Sequence, residues 1–476
     1  MLTYLKRQTD LITLIFWIII VIFYMDLGGI IQSSDGEMNI LAIPSQFVIT
    51  LMAYVFFYLR YAKSNYNYTN KRFIDYYTLI IIIWYAYYLI WYYWLNNPYF
   101  PGFIRLLARN TRMLMQGLIV FPIIYFATNN LYDFIKILTW STFSIILLFV
   151  ITLLTGIPFI AINTEPRVFI NLNRHFLLGE GLLAFSLPIA LSYSMMKFKS
   201  DKLTIWSGAM VILYYCLTLT RANIVGIIEH IFIISFIVNY IHSKKIHKMF
   251  QRIMDIRYSA AIMVAIISLW LLFPLYLNSL GPIAKNTISV FTGWETDLEI
   301  VDARLSLTQK VGIVNAIKEN MWLGTGYDPA WFSGGGGKDQ WEGNDYRFLG
   351  SFAMYGIVGL LVFLPFYLLA IKIISKILKL IRGNYKLINN NQLVFHLPTI
   401  VGIAAASEII KNIIEYPNWF EPIAASSESP ILFIYFGLLL GSLNLIQKKI
   451  VNISRNSKRN LRIKANKLIK IRLYIY

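Results

Sequence analysis

The sequence predicts an all-α polytopic membrane protein of about twelve transmembrane helices, with both termini on the cytoplasmic side. Three observations predict it. Of the 476 residues, 57% are hydrophobic and 14% charged, whereas soluble domains carry about 25% charged residues. The apolar residues gather in runs of about 20, the length of one bilayer crossing. The cations, 43 Lys and Arg against 24 Asp and Glu, fall mostly between alternate runs, which is the positive-inside pattern. This composition excludes a soluble multidomain enzyme, a disordered chain and a fibrous repeat. The net charge of +19 needs no nucleic-acid partner, because its location already accounts for it. The single cysteine, Cys216, allows neither a disulfide framework nor a cysteine metal site.

Lys6 and Arg7 precede span 1, Leu11–Met25, and set the N-terminus inside; no cleavage signal follows, so the run reads as a signal anchor. Asp26–Ile40 lacks Lys and Arg and reads as an outer loop. Span 2, Leu41–Leu59, returns to a basic loop of Arg60, Lys63, Lys71 and Arg72. Span 3, Phe73–Leu95, ends in an aromatic belt at Trp91 to Trp94. Spans 4 (Met113–Thr128) and 5 (Ile135–Thr155) lead to an outer loop, Gly156–His175. Span 6 (Phe176–Met196) and the inner loop Lys197–Lys202 follow. Spans 7 (Leu203–Thr220) and 8 (Ala222–Ile241) form an outer hairpin around Arg221. A basic inner loop from Lys244 to Arg257 precedes span 9, Ser259–Leu277. Span 10 (Ser351–Ile371), the basic loop Lys372–Lys386, span 11 (Leu393–Ile414) and span 12 (Pro430–Ile446) complete the set. Residues 1–277 thus carry spans 1 to 9, 278–350 a large outer loop, 351–447 spans 10 to 12, and 448–476 a basic cytoplasmic tail suited to anionic lipid.

One outer segment breaks the charge rule. Arg105, Arg109 and Arg112 recur at i, i+4 and i+7, which places all three on one helix face. Arg167 and Arg174 in the next outer loop, Arg221, Arg304 and Arg347 also fall outside. Arginine's planar fork binds phosphate in a bidentate way and does not deprotonate. An outward cavity lined with it suits a lipid phosphate or diphosphate. The alternative is a set of interfacial side chains snorkelling to headgroups.

The large loop holds Glu295, Asp297, Glu299, Asp302, Asp328, Lys338, Asp339, Glu342 and Asp345. Ser333–Asp339 resembles a phosphate-binding loop but fails its pattern, since Asp339 follows Lys338 where Ser or Thr is required. Glu180, Glu229 and His230 are ionisable groups at membrane depth, either a proton path or a satisfied packing pair. Glu408 and Lys411, one turn apart, are expected to pair. The histidine and acid spacings predict no metal, and nothing predicts a cofactor.

Two passages and a short motif carry a family resemblance. Arg304-Leu-Ser-Leu-Thr-Gln-Lys-Val-Gly-Ile-Val-Asn-Ala-Ile-Lys-Glu-Asn320, continued by Met-Trp-Leu-Gly-Thr-Gly-Tyr327, resembles the large-loop signature of the O-antigen polymerase and ligase family. Asp345-Tyr-Arg-Phe-Leu-Gly-Ser-Phe-Ala-Met-Tyr-Gly-Ile-Val-Gly359 is similar to that family's entry into the following helix. Leu219-Thr-Arg221 resembles its outer Thr-x-Arg hairpin. Ligases of the family carry His where Asp345 stands, so polymerase is the better match. The family's Pro is Met321 here, and its Trp after the loop arginine is missing.

The resemblance implies a multispan (GT-C type) glycosyltransferase in a bacterial inner membrane, with its active site facing the periplasm. It would join undecaprenyl-diphosphate-linked oligosaccharide repeats without a metal or cofactor, for O-antigen or another surface polysaccharide. Its partners would be that lipid-linked glycan, membrane lipid and a chain-length regulator. A ligase, or a polysaccharide or lipid flippase, is the alternative. The implied roles give Arg221 and Arg304 the leaving diphosphate and Asp345 the attacking hydroxyl's proton, with Glu342 and Glu180 as second choices. An N-cap for span 10 is the other reading of Asp345. Arg105, Arg109, Arg112, Arg167, Arg174, Arg347 and Lys338 would hold the lipid-linked substrates.

Overall fold

The computed structural model describes residues 11–24, 119–157, 159–160, 162–167, 172–177, 180–198, 202–218, 221–242, 347–415 and 429–473, with Met52, Val55, Lys318, Met321 and Trp322. The described residues form eleven helices and one β-hairpin. In order these are α1 (Leu11–Tyr24), α2 (Val120–Asn129), α3 (Tyr132–Thr155), β1 (Asn163–Arg167), β2 (Leu172–Phe176), α4 (Glu180–Ala184) and α5 (Ser186–Met196). Then come α6 (Lys202–Leu217), α7 (Arg221–His242), α8 (Arg347–Gly383), α9 (Tyr385–Asn390), α10 (Gln392–Glu415) and α11 (Ser429–Leu473). Spans 2, 3 and 9 lie outside the described residues apart from Met52 and Val55.

Three of these helices are long and apolar enough to cross a bilayer: Tyr132–Thr155, Gln392–Ile413 and Ile431–Ile453. The chain is a membrane protein. The most apolar stretch of α3 is 33% buried, against 72% for α10 and 83% for α11. α10 and α11 therefore form the centre of the bundle, and α3 lies at its rim with most of its apolar surface outward.

Small residues let the central helices approach closely. Gly437 and Gly441, four apart on α11, face α2: a Cβ at Gly437 would stand 2.6 Å from the Cβ of Ile123, and one at Gly441 would collide with Ala127. This is the small-xxx-small packing that membrane helices use where lipid removes the hydrophobic drive to associate. α1 closes the other side of α2. Phe16 stacks on Phe126 with ring centroids 3.9 Å apart, and the Trp17 Nε1–H donates to the Asn130 carbonyl at 3.2 Å.

The helix ends sort into two. At one end lie His242 of α7, whose Nε2 is 2.8 Å from the Tyr385 hydroxyl, and Arg382 of α8, 4.9 Å over the Tyr240 ring. With Lys197, Lys202, Lys386 and Lys449 on the adjoining segments, this is the basic end. The other end holds the C-terminus of α3, the β-hairpin and the starts of α4 and α7.

One segment expected to be a loop is helical, and so is the basic tail. Lys372–Lys386 continues α8 as far as Gly383, burying Ile373, Ile374, Ile377 and Ile381 while Lys372, Lys376 and Lys379 stay outside the core. Those positions follow the 3.6-residue period of an amphipathic helix. α11 likewise runs on through the basic tail to Leu473. The expected outer loop Gly156–His175 contains most of one short antiparallel hairpin within an otherwise helical fold, while span 6 divides into α4 and α5 at Phe185.

Pro398 lies inside α10 and cannot donate to the Val394 carbonyl four residues back. The Lys449 ammonium of α11 donates to that carbonyl instead. The proline's missing bond thus becomes a tie between the two central helices.

Candidate functional site

The non-basic end holds the strands that carry Arg167 and Arg174 and the start of α7 at Arg221. α3 stops at Gly156, whose φ of 71° is the left-handed conformation glycine adopts without strain. The chain then turns into β1 and β2, where Glu165 pairs with Arg174 and Arg167 with Leu172. Directly opposed residues share a face, so this register puts positions 165, 167, 172 and 174 on one side of the hairpin. The segment after β2 is anchored on α6: the Leu177 N–H donates to the Tyr214 hydroxyl at 2.9 Å. Tyr214 is itself fully buried, edge-on to Phe149 with centroids 5.0 Å apart.

Glu180 opens α4, Arg221 opens α7 and Arg347 opens α8. α7 and α8 run parallel, since their C-terminal segments meet at the basic end. Arg221 thus starts a helix directed away from the non-basic end, a position where a helix dipole favours an anion, while Arg347 starts the part of α8 that precedes a break at Gly356. Arg105, Arg109, Arg112, Arg304, Lys338, Glu342 and Asp345 lie outside the described residues.

α8 breaks at Gly356, with φ 62° and ψ −169°. That region is essentially restricted to glycine. The break turns two backbone donors outward. The Ile357 N–H donates to the Met321 carbonyl and the Val358 N–H to the Trp322 carbonyl, both at 3.0 Å. Residues 321–322 and 356–358 belong to the two passages that carry the family resemblance, and here they meet through main-chain bonds.

A second cluster lies in the middle of the bundle. His230 of α7 and Glu408 of α10 are 2% and 4% exposed, and His230 Nε2 stands 3.3 Å from Glu408 Oε1. The other ring nitrogen, Nδ1, is 3.0 Å from the Ser407 hydroxyl. Nε2 faces the carboxylate as a close polar contact; at Nδ1 a neutral ring protonated on Nε2 accepts the serine O–H. Glu408, expected to pair with Lys411, has the Lys411 charge acting on it and also a partner 178 residues away on another helix. Ser407 was not among the expected site residues, and its place before Glu408 in a polar Ser-Glu step within an apolar run was the available signal.

Among the described residues, no group of three or more His, Cys, Asp or Glu is placed to hold a metal. No protein-family model matches the chain, and no curated protein matches it.

Proposed function

We propose that this protein is a polymerase of lipid-linked oligosaccharides, working at the outer face of the cytoplasmic membrane as a span set of about twelve helices. The supporting observation is the pairing of 321–322 with 357–358 across the Gly356 break. Two short passages matched to one family's loop signature gain weight when they are spatial neighbours. The reading of Arg167, Arg174, Arg221 and Arg347 as phosphate-binding cations adds to it.

In this reading a hydroxyl of the acceptor repeat attacks the anomeric carbon of the growing chain. The new glycosidic C–O bond forms as the bond to the lipid diphosphate breaks, and the hydroxyl proton passes to Asp345. Arg221 and Arg304 stabilise the charge on the departing diphosphate. Arg167, Arg174, Arg347 and the Arg105, Arg109, Arg112 stripe hold the second lipid diphosphate.

The test is deletion in the native host, with surface and lipid-linked glycans separated on a gel. A surface glycan reduced to one repeat unit supports the polymerase. Long chains stranded on the lipid carrier make it a ligase, and repeat units confined to the cytoplasmic side make it a flippase. Complementation with Arg304→Ala should fail at normal protein level; full-length polymer from that variant would overturn the leaving-group role.

A further inference from the structure

The basic end carries a cavity that the proposed reaction does not use. It has a volume of about 500 Å³ and opens between the first turns of α3 and α6, against the end of α5 and the start of α10. Lys136 and Lys202 stand at its mouth, both exposed. Among the described residues neither has an ion-pair partner. The acid nearest Lys136 on its own helix, Asp133, is buried and accepts from the Asn130 side-chain amide at 2.7 Å. Thr139 and Thr204 are buried at the cavity wall, and His396 reaches it with Nδ1 donating to the Gln392 carbonyl at 2.8 Å.

The apolar surroundings say what kind of anion fits. Trp140 and Trp206 line the same cavity and are 54% and 62% exposed, large rings in the position of interfacial anchors. Beyond them the outer surfaces of α3 and α6 continue as exposed Leu147, Leu148 and Leu154 and exposed Ile212, Leu213 and Leu217. A headgroup pocket with two exposed cations, rimmed by indoles and continuous with an apolar surface, has the layout of a phospholipid: charge at one end, acyl chains along the other.

We infer that the cavity between α3 and α6 binds the phosphate headgroup of an anionic glycerophospholipid from the leaflet at the basic end. The lipid's chains lie along the exposed faces of α3 and α6. This inference stands on the membrane character of the chain alone and is independent of the glycan reaction.

The experiment is native mass spectrometry of the full-length protein in detergent, titrated with phosphatidylglycerol or phosphatidylcholine of matched chains. Phosphatidylglycerol is expected to bind in preference, with affinity falling about fivefold for Lys136→Ala or Lys202→Ala and about thirtyfold for the pair, at about 1 kcal/mol per lysine. Lys136→Arg should retain binding, and phosphatidylcholine binding should not change in any variant. Equal retention of the two lipids, or an unchanged phosphatidylglycerol affinity in the double variant, would overturn the inference. Displacement of the lipid by millimolar inorganic phosphate would also overturn it, by making the cavity a free-phosphate site. Both lysines are exposed, and matched melting temperatures separate lost binding from lost fold.

Discussion

The Lys449 ammonium donates to the Val394 carbonyl, the acceptor that Pro398 leaves without its helical partner. A proline inside a membrane helix is tolerated where a neighbour satisfies the freed carbonyl, and here the neighbour is a charged side chain of the packed helix. Lys449→Met should destabilise the protein by about 1 kcal/mol. In a Pro398→Ala background, where residue 398 regains its N–H, the same change should cost less. Thermal unfolding of the four proteins in this cycle checks the coupling, and additive effects would refute it.

The His230–Glu408 contact makes a sharper prediction. Removing one member of a buried pair strands the other, at about 3 kcal/mol. His230→Leu is therefore expected to lower the unfolding midpoint strongly, and Glu408→Leu on top of it to restore part of the loss. A double variant no better than the single would show that the pair is not an energetic unit.

At Gly356, any side chain must occupy backbone angles open essentially to glycine. Gly356→Ala should cost about 2 kcal/mol and separate residues 357–358 from 321–322. Under the proposed function, polymer length in the native host should fall with it. Normal polymer from a stably expressed Gly356→Ala protein would show that the break serves neither fold nor reaction.

The α2–α11 contact can be wedged apart. Gly441→Leu drives a side chain into Ala127, and a cost of about 2 kcal/mol is expected from overpacking alone. Gly383 is the control: a Cβ there meets nothing within 4 Å, so Gly383→Ala should leave the midpoint unchanged or raise it. Detergent-phase melting curves of the two variants make the comparison.

Tyr214→Phe deletes one oxygen and leaves the Leu177 N–H buried without its acceptor. A loss of about 1–2 kcal/mol is expected, along with faster amide exchange at Leu177. Unchanged exchange there would mean that the hairpin is held by something other than this bond.

The apolar runs were legible because one bilayer crossing demands about 20 apolar residues whatever the partners. α1, α3, α6, α7 and α10 begin and end within three residues of the runs that predict them. Charge misled where it sat on an amphipathic helix. Ile373, Ile374, Ile377 and Ile381 mark a buried stripe through the supposed loop, and the lysines between them concealed it. The Gly437-x-x-x-Gly441 spacing was readable in the same way. Pairings across the bundle were not: local spacing pointed to Lys411, whose charge does act on Glu408, but nothing near His230 in sequence points to Glu408. The break at Gly356 was not legible either, since a glycine inside an apolar run also suits close helix packing.

α11 runs unbroken from Ser429 to Leu473 and is tied to α10 at Lys449. From that lysine to Leu473 is about 36 Å at 1.5 Å per residue. A tilt of about 10° there carries the far end about 6 Å. The helix is mechanically a lever with its fulcrum inside the bundle: a rotation too small to disturb packing within the bilayer becomes, at its far end, a displacement that another molecule can feel.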